Sequence, residues 1–151
     1  MVAPRSLSGF LKKHHSVYLD TSTFIYFVER HPRYSPACEE LFHEIEAGRT
    51  KASTSTLTLL EILVQPYRRK KDDLVLKFYA LLTTYPNLTW VPMTLNVADQ
   101  AAKLRAEHGL KTPDAIQAAS AISCNADGFV CNDKVFSKIK TFESLVLDDI
   151  C

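Results

Sequence analysis

Short, apolar, β-favouring runs alternate with longer segments of helical periodicity along this chain, and that alternation limits the fold more than any other property of the sequence. The short runs lie at Val17-Tyr18-Leu19, 51–56, 88–91, 128–131 and 145–147, and the helical segments at about 22–30, 35–47, 57–64, 71–84, 94–108 and 113–124. Residues that suit a pleated, half-buried surface differ from those that line one face of a helix, so the two patterns separate cleanly. Strands regularly interrupted by helices indicate a parallel sheet covered on both faces. The expected fold is α/β, a three-layer α/β/α arrangement around a central parallel sheet of about five strands, Rossmann-like in its general plan.

Punctuation supports these boundaries. Pro32 and Pro36 separate the first two helices, Gly48 follows the second, Pro66 ends the third and Gly109 closes the fifth. Between 66 and 88 a basic run leads into an amphipathic helix with Leu74, Phe78, Leu81 and Leu82 on one face, which reads as a helical arm or hairpin. At 151 residues and 46% hydrophobic content the chain suits a single domain, 1–151, with residues 1–15 as a loosely ordered N-terminal segment. Those first residues lack the apolar stretch of a secretory signal, and nothing approaches the roughly 20 apolar residues of a membrane span. Cys38, Cys124, Cys131 and Cys151 form no C-x-x-C pair and read as reduced thiols. A cytoplasmic protein with no membrane partner is expected.

Four carboxylates stand at the borders of this apolar framework. Asp20 follows the first strand directly, where open α/β sheets place their ligands. Glu61 lies within the apolar helix Leu57-Thr58-Leu59-Leu60-Glu61-Ile62-Leu63-Val64. Asp114 occurs in Thr112-Pro113-Asp114, read as N-cap, first helical residue and first-turn acid, ahead of the small residues of 115–121. Asp133 follows Phe129-Val130-Cys131-Asn132 at the end of another strand. Each has a local explanation: a helix N-cap for Asp20 and Asp133, helix-start electrostatics for Asp114, and a solvated stripe of Thr58, Glu61 and Gln65 for Glu61. One acidic cluster at one edge of a parallel sheet explains all four together.

Clustered carboxylates repel and raise one another's pKa values, so the expected occupant is a hard divalent cation with oxygen ligands, Mg²⁺ or Mn²⁺. The five histidines lack the paired helical spacing of a zinc site and read as surface residues. Acid-bound Mg²⁺ suits phosphoryl chemistry, and the absence of a Walker lysine loop favours hydrolysis of a nucleic-acid backbone over that of a nucleoside triphosphate. The formal charge is only +1, but with the four acids set apart the remaining chain has a basic excess, which suits a polyanion.

In order and spacing these residues resemble the PIN-domain ribonucleases, and in particular the VapC-type toxins of toxin-antitoxin modules. Asp20-Thr21-Ser22 resembles the opening motif, 56–62 the helix that carries the family's glutamate, Leu104-Arg105 to Gly109-Leu110 with Thr112-Pro113-Asp114-Ala115-Ile116 the most distinctive block, and Asn132-Asp133 with Phe136 the closing motif. The resemblance implies a PIN-like fold and a Mg²⁺- or Mn²⁺-dependent endoribonuclease whose catalytic and metal-binding residues are Asp20, Glu61, Asp114 and Asp133. Thr21, Ser22 and Asn132 would support the site by hydrogen bonding. It further implies a homodimer, an RNA substrate and a cognate antitoxin that blocks the active groove. Cys131 departs from the family, standing where the closing motif carries a hydroxyl residue.

The basic run Arg68-Arg69-Lys70-Lys71, with Lys77 beyond it, is a candidate RNA-binding segment beside the acidic site. A von Willebrand type A module loses its second hydroxyl ligand at Phe24, and a receiver domain would need an acid pair after the first strand. The remaining alternative is a PIN-fold scaffold that binds RNA or protein without catalysis.

Overall fold

The structure, a computed structural model, describes residues 6–151. Five strands, β1 (Ser16–Leu19), β2 (Lys51–Ser55), β3 (Leu88–Val91), β4 (Gly128–Cys131) and β5 (Glu143–Val146), form one all-parallel sheet in the order β3-β2-β1-β4-β5. The chain winds outward from β1 through β2 to β3, then crosses to β4 and β5 on the other side. The reversal lies between β1 and β4, so the crevice beyond their carboxyl ends is where a doubly wound sheet places its ligand.

Alternation along the strands divides the core into two layers. Val17 and Leu19 of β1 and Val130 of β4 face one way, against α1 (Leu7–Lys13), α2 (Thr21–Val28), α3 (Ser35–Glu46), α4 (Thr56–Arg68) and α5 (Asp72–Thr84). Tyr18, Phe129 and Cys131 face the other way, against α6 (Leu95–His108), α7 (Thr112–Ser123) and the short 3-10 helix Lys134–Lys138. Side chains that alternate across the pleat thus fill both inner faces of an α/β/α sandwich. A second 3-10 turn, Leu147–Asp149, follows β5.

The strand positions match the sequence reading closely, with departures at the first helix, at Pro66 and at His14. Residues 7–13 form a helix rather than a loose segment, because Leu7, Phe10 and Leu11 at i, i+3 and i+4 bury one face in the core; residues 1–5 lie outside the described residues. Pro66 does not end α4, which continues to Arg68: the missing N–H falls in the last turn, where it strands only the Ile62 carbonyl. The chain then turns through Lys70 at φ 53°, and the Lys71 N–H bonds the Pro66 carbonyl at 2.9 Å. The 66–88 segment does return as a helical hairpin, with Phe78 and Leu82 of α5 buried and Leu74 and Leu81 packed beside them.

The third departure is His14, which is 7% exposed rather than a surface residue. Its Nδ1 meets Asp127 at 3.0 Å and its Nε2 meets Glu143 at 2.8 Å, tying the end of α1 to the starts of β4 and β5. Burial raises the Glu143 pKa, but the hydrogen bonds from His14 and Lys13 outweigh it and hold the carboxyl below its ordinary value. This close approach needs Gly128, since a Cβ there would lie 2.9 Å from Phe10 Cζ and 3.0 Å from Val17 Cγ1. Gly128→Ala is expected to lower stability by about 1–3 kcal/mol through overpacking, measured as a shift in the urea midpoint at unchanged m.

Candidate active site at the carboxyl edge of the sheet

Asp20 begins where β1 ends. Its N–H donates to the Val130 carbonyl at 3.0 Å, continuing the β1–β4 ladder by one rung, and its carbonyl accepts the Thr23 N–H at 3.1 Å. It occupies the N-cap position of α2, but its side chain makes no capping bond, so the carboxylate is not consumed by helix initiation. The hydroxyl of Ser22, two residues on, is buried and has no hydrogen-bond partner among the described residues. Asp133, at the end of β4, does cap: one oxygen accepts the Val135 N–H at 2.9 Å at the start of the 3-10 helix.

Asp114 is the third residue of α7, and the N-cap position belongs to Lys111 rather than to Thr112. The Thr112 hydroxyl instead accepts Arg105 Nη1 at 3.0 Å, while Arg105 Nε bonds the Leu110 carbonyl at 2.9 Å. With Gly109 left-handed at φ 68°, these bonds fix the sharp corner between α6 and α7 and so set where Asp114 lies. Ala115, Ala118, Ala119 and Ala121, all 0% exposed, let α7 settle closely into the second layer.

Glu61, in the second turn of α4, is half-buried and does not belong to a solvated stripe: Thr58 on the same face is 0% exposed. Its Oε1 accepts Thr21 Oγ1 at 2.8 Å and Gln117 Nε2 at 2.8 Å. Sequence reasoning missed Gln117, which it passed over among the small residues of α7. The available signal was that this is the one amide in an otherwise small, apolar run, and such an amide needs several partners when buried.

These four acids share one electrostatic field. Burial is the largest influence on Asp20, and although the Thr21 backbone N–H opposes it, the charges of Glu61, Asp114 and Asp133 add to it, lifting the carboxyl to about 7. Burial likewise raises Asp114, with Asp133 and Glu61 adding to the rise and Lys111 opposing it. Among the described residues no three His, Cys, Asp or Glu side chains are drawn tightly enough to enclose an ion as they stand. The donor chemistry nevertheless fits a hard cation: the four acids offer carboxylate oxygens, Asp20 and Asp114 are both raised by acids of the group, and the hydroxyl of Ser22, two residues after Asp20, is buried without a partner among the described residues.

The raised Asp20 has a consequence for stability. An unfolded aspartate titrates near 3.9, so between about 4 and 7 the metal-free native state holds a proton that the unfolded chain has lost. That contribution is fully present below pH 4 and is lost as pH rises through 7. Thermal melts in EDTA should therefore show the wild type losing stability relative to Asp20→Asn as pH rises from about 4 to about 7; parallel profiles would show that Asp20 titrates normally.

The supporting residues are divided. Thr21 touches the site through Glu61, whereas Asn132 braces its rim: its Nδ2 donates to Tyr26 Oη at 3.0 Å and its Oδ1 accepts the Asp148 N–H at 2.8 Å. Cys131 points into the second core layer, where its thiol donates to the Asp133 carbonyl at 3.4 Å and burial drives its pKa far above the ordinary value. Its sulfur therefore holds the backbone of Asp133. Arg68, Arg69, Lys70 and Lys71 are exposed at the far end of α4, about 10 Å along the helix from Glu61. Among the described residues none of them pairs with an acid within 4.0 Å.

An all-parallel, doubly wound sheet with four acids sharing a field at its switch point defines an α/β protein with an acidic carboxyl-edge site. More particularly, a sequence model of the PIN domain matches residues 17–141, and the chain belongs to the PIN domain family. Its fold is similar to a VapBC2 structure from Rickettsia felis bound to a promoter DNA fragment (TM-score 0.67, 21% identity, covering 85% of this chain and 96% of that one). It is also similar to a toxin-antitoxin complex from Klebsiella pneumoniae (TM-score 0.66, 18% identity, 87% and 97%) and to DNA-bound VapBC from Salmonella typhimurium (TM-score 0.64, 20% identity, 87% and 98%). No curated protein matches the chain.

Proposed function

We propose that this PIN domain protein is a Mg²⁺- or Mn²⁺-dependent endoribonuclease and the toxin of a toxin-antitoxin pair. The observation that carries the reading is Asp20, free of capping duty at the switch point and raised to about 7 in the field of Glu61, Asp114 and Asp133. Asp20, Glu61, Asp114 and Asp133 would hold the ion. When bound, it would polarise the phosphodiester, help deprotonate an attacking water and stabilise the leaving oxygen.

The remaining tasks fall to the chain itself. The Thr21 hydroxyl donates to one oxygen of Glu61. The bond from Val135 holds Asp133, and the Arg105-clamped corner places Asp114. Exposed at the far end of α4, Arg68, Arg69, Lys70 and Lys71 would take phosphates of the RNA on either side of the cut. The antitoxin assignment is supported by the toxin-antitoxin complexes of similar fold. Dimerisation and a cytoplasmic location complete the proposal.

The test is a labelled single-stranded RNA incubated with the purified chain and Mg²⁺ or Mn²⁺, with and without EDTA. Cleavage that EDTA abolishes is the expected result. A folded protein that cuts no RNA with either ion, yet retains RNA binding, would instead be a scaffold.

A further inference from the structure

Gln117 is 1% exposed, and every polar group of its amide is engaged. Nε2 lies 2.8 Å from Glu61 Oε1, 3.1 Å from Thr21 Oγ1 and 3.3 Å from Thr58 Oγ1, so both of its protons have an acceptor, the two shorter contacts being those to Glu61 and Thr21. Oε1 accepts the hydroxyl of Tyr18, a 0% exposed residue of β1, and lies 3.4 Å from Thr58 Oγ1. The reverse amide orientation would set its carbonyl against the Glu61 carboxylate, so these neighbours determine the orientation. One side chain therefore joins four elements: the central strand β1, the start of α2 through Thr21, the acid-bearing face of α4, and α7 one turn beyond Asp114.

A purely structural need would be met by less. Tyr18 requires an acceptor for its buried hydroxyl, and many side chains would serve. An amide whose donor end is aimed at two residues beside the acid cluster does something more. Gln117 Nε2 and Thr21 Oγ1 both donate to the same oxygen of Glu61, Oε1, so the carboxylate is pinned at one end and its other oxygen, Oε2, has no protein donor among the described residues.

We propose that Gln117 is a positioning residue: with Thr21 it clamps Oε1 of Glu61, anchors that clamp to the sheet through Tyr18, and leaves Oε2 free for the ion. The inference rests on the proposed role of Glu61 as a metal-binding acid. Partners that orient a metal ligand through its second atom commonly set affinity by about tenfold to a hundredfold.

Gln117→Met would strand the Tyr18 hydroxyl, so the informative variant is Tyr18→Phe/Gln117→Met, which replaces both partners by apolar groups of similar shape. Mn²⁺ binding is read by calorimetry with the metal alone, kcat and KM on RNA, and folding by thermal melts. The variant is expected to fold, to bind Mn²⁺ about tenfold to a hundredfold more weakly, and to lose kcat at unchanged KM. Introduced into Glu61→Gln, the same pair of changes should cost little more, because the residue they position has already gone. Wild-type Mn²⁺ affinity and kcat in the double variant, or a full additional loss on the Glu61→Gln background, would overturn the proposal and leave Gln117 as core packing. If Glu61→Gln alone binds Mn²⁺ and cuts RNA as the wild type does, the assignment of Glu61 fails, and the positioning role fails with it.

Discussion

Asp20→Asn is expected to reduce RNA cleavage by about two orders of magnitude or more while leaving the melting temperature of the metal-free protein unchanged or higher. The change removes one negative charge and almost no volume, at a position whose carboxylate makes no capping bond. Under the proposed function it would remove ligand charge from catalysis, and metal stabilisation of a phosphodiester transition state is worth several kcal/mol, with about 1.4 kcal/mol for each tenfold in rate. What it removes from the fold is a buried acid already disfavoured by desolvation and by three neighbouring carboxylates. Activity and stability should thus move in opposite directions, which a merely structural aspartate would not produce. The same cleavage assay on Asp114→Asn should give a loss of the same order.

Phe129→Ala is expected to have the largest effect on stability, about 3–5 kcal/mol. Phe129 is 0% exposed in the middle of β4, opposite Tyr18 of β1. Its ring stacks on Tyr18 at 5.1 Å and on Phe142 at 4.6 Å, and lies tilted against Phe136 at 4.5 Å. Truncation leaves a cavity between strands and a 3-10 helix held by their own hydrogen bonds, which limits how far the walls can close. A loss of that size is a large part of the 5–15 kcal/mol that typically separates folded from unfolded chains. Because β4 leads directly into Asn132 and Asp133, local loosening should also weaken cleavage before global unfolding. Chemical denaturation checks the prediction, and a loss below about 1 kcal/mol would mean that the second core layer repacks freely.

The strands were legible because parallel strands buried on both faces are short apolar runs with little ambiguity, as at Val17-Tyr18-Leu19 and Phe129-Val130-Cys131. The acids were legible for a related reason: Asp20 and Asp133 interrupt such runs at their ends, and in a parallel sheet those ends share an edge. The features missed depend on partners distant in sequence. The segment 7–13 contains only three apolar residues and becomes helical by packing against the sheet. His14 meets its carboxylates 113 and 129 positions away. Glu61 fits a solvated stripe until α7 is placed beside α4, when Gln117 reaches it across 56 residues. Pro66 fits the local rule for a helix end, which tertiary packing relaxes in a last turn where few bonds remain to be lost.

Under the proposed function the four acids form one site for a divalent cation. Titrating Mn²⁺ calorimetrically into the wild type, Asp20→Asn and Asp133→Ala, all confirmed folded, tests it without reference to substrate. Saturable binding to the wild type that is abolished or weakened at least about tenfold in both variants is the predicted result. No Mn²⁺ or Mg²⁺ binding to the wild type, or binding that both variants retain unchanged, would show that the four acids are not a cation site.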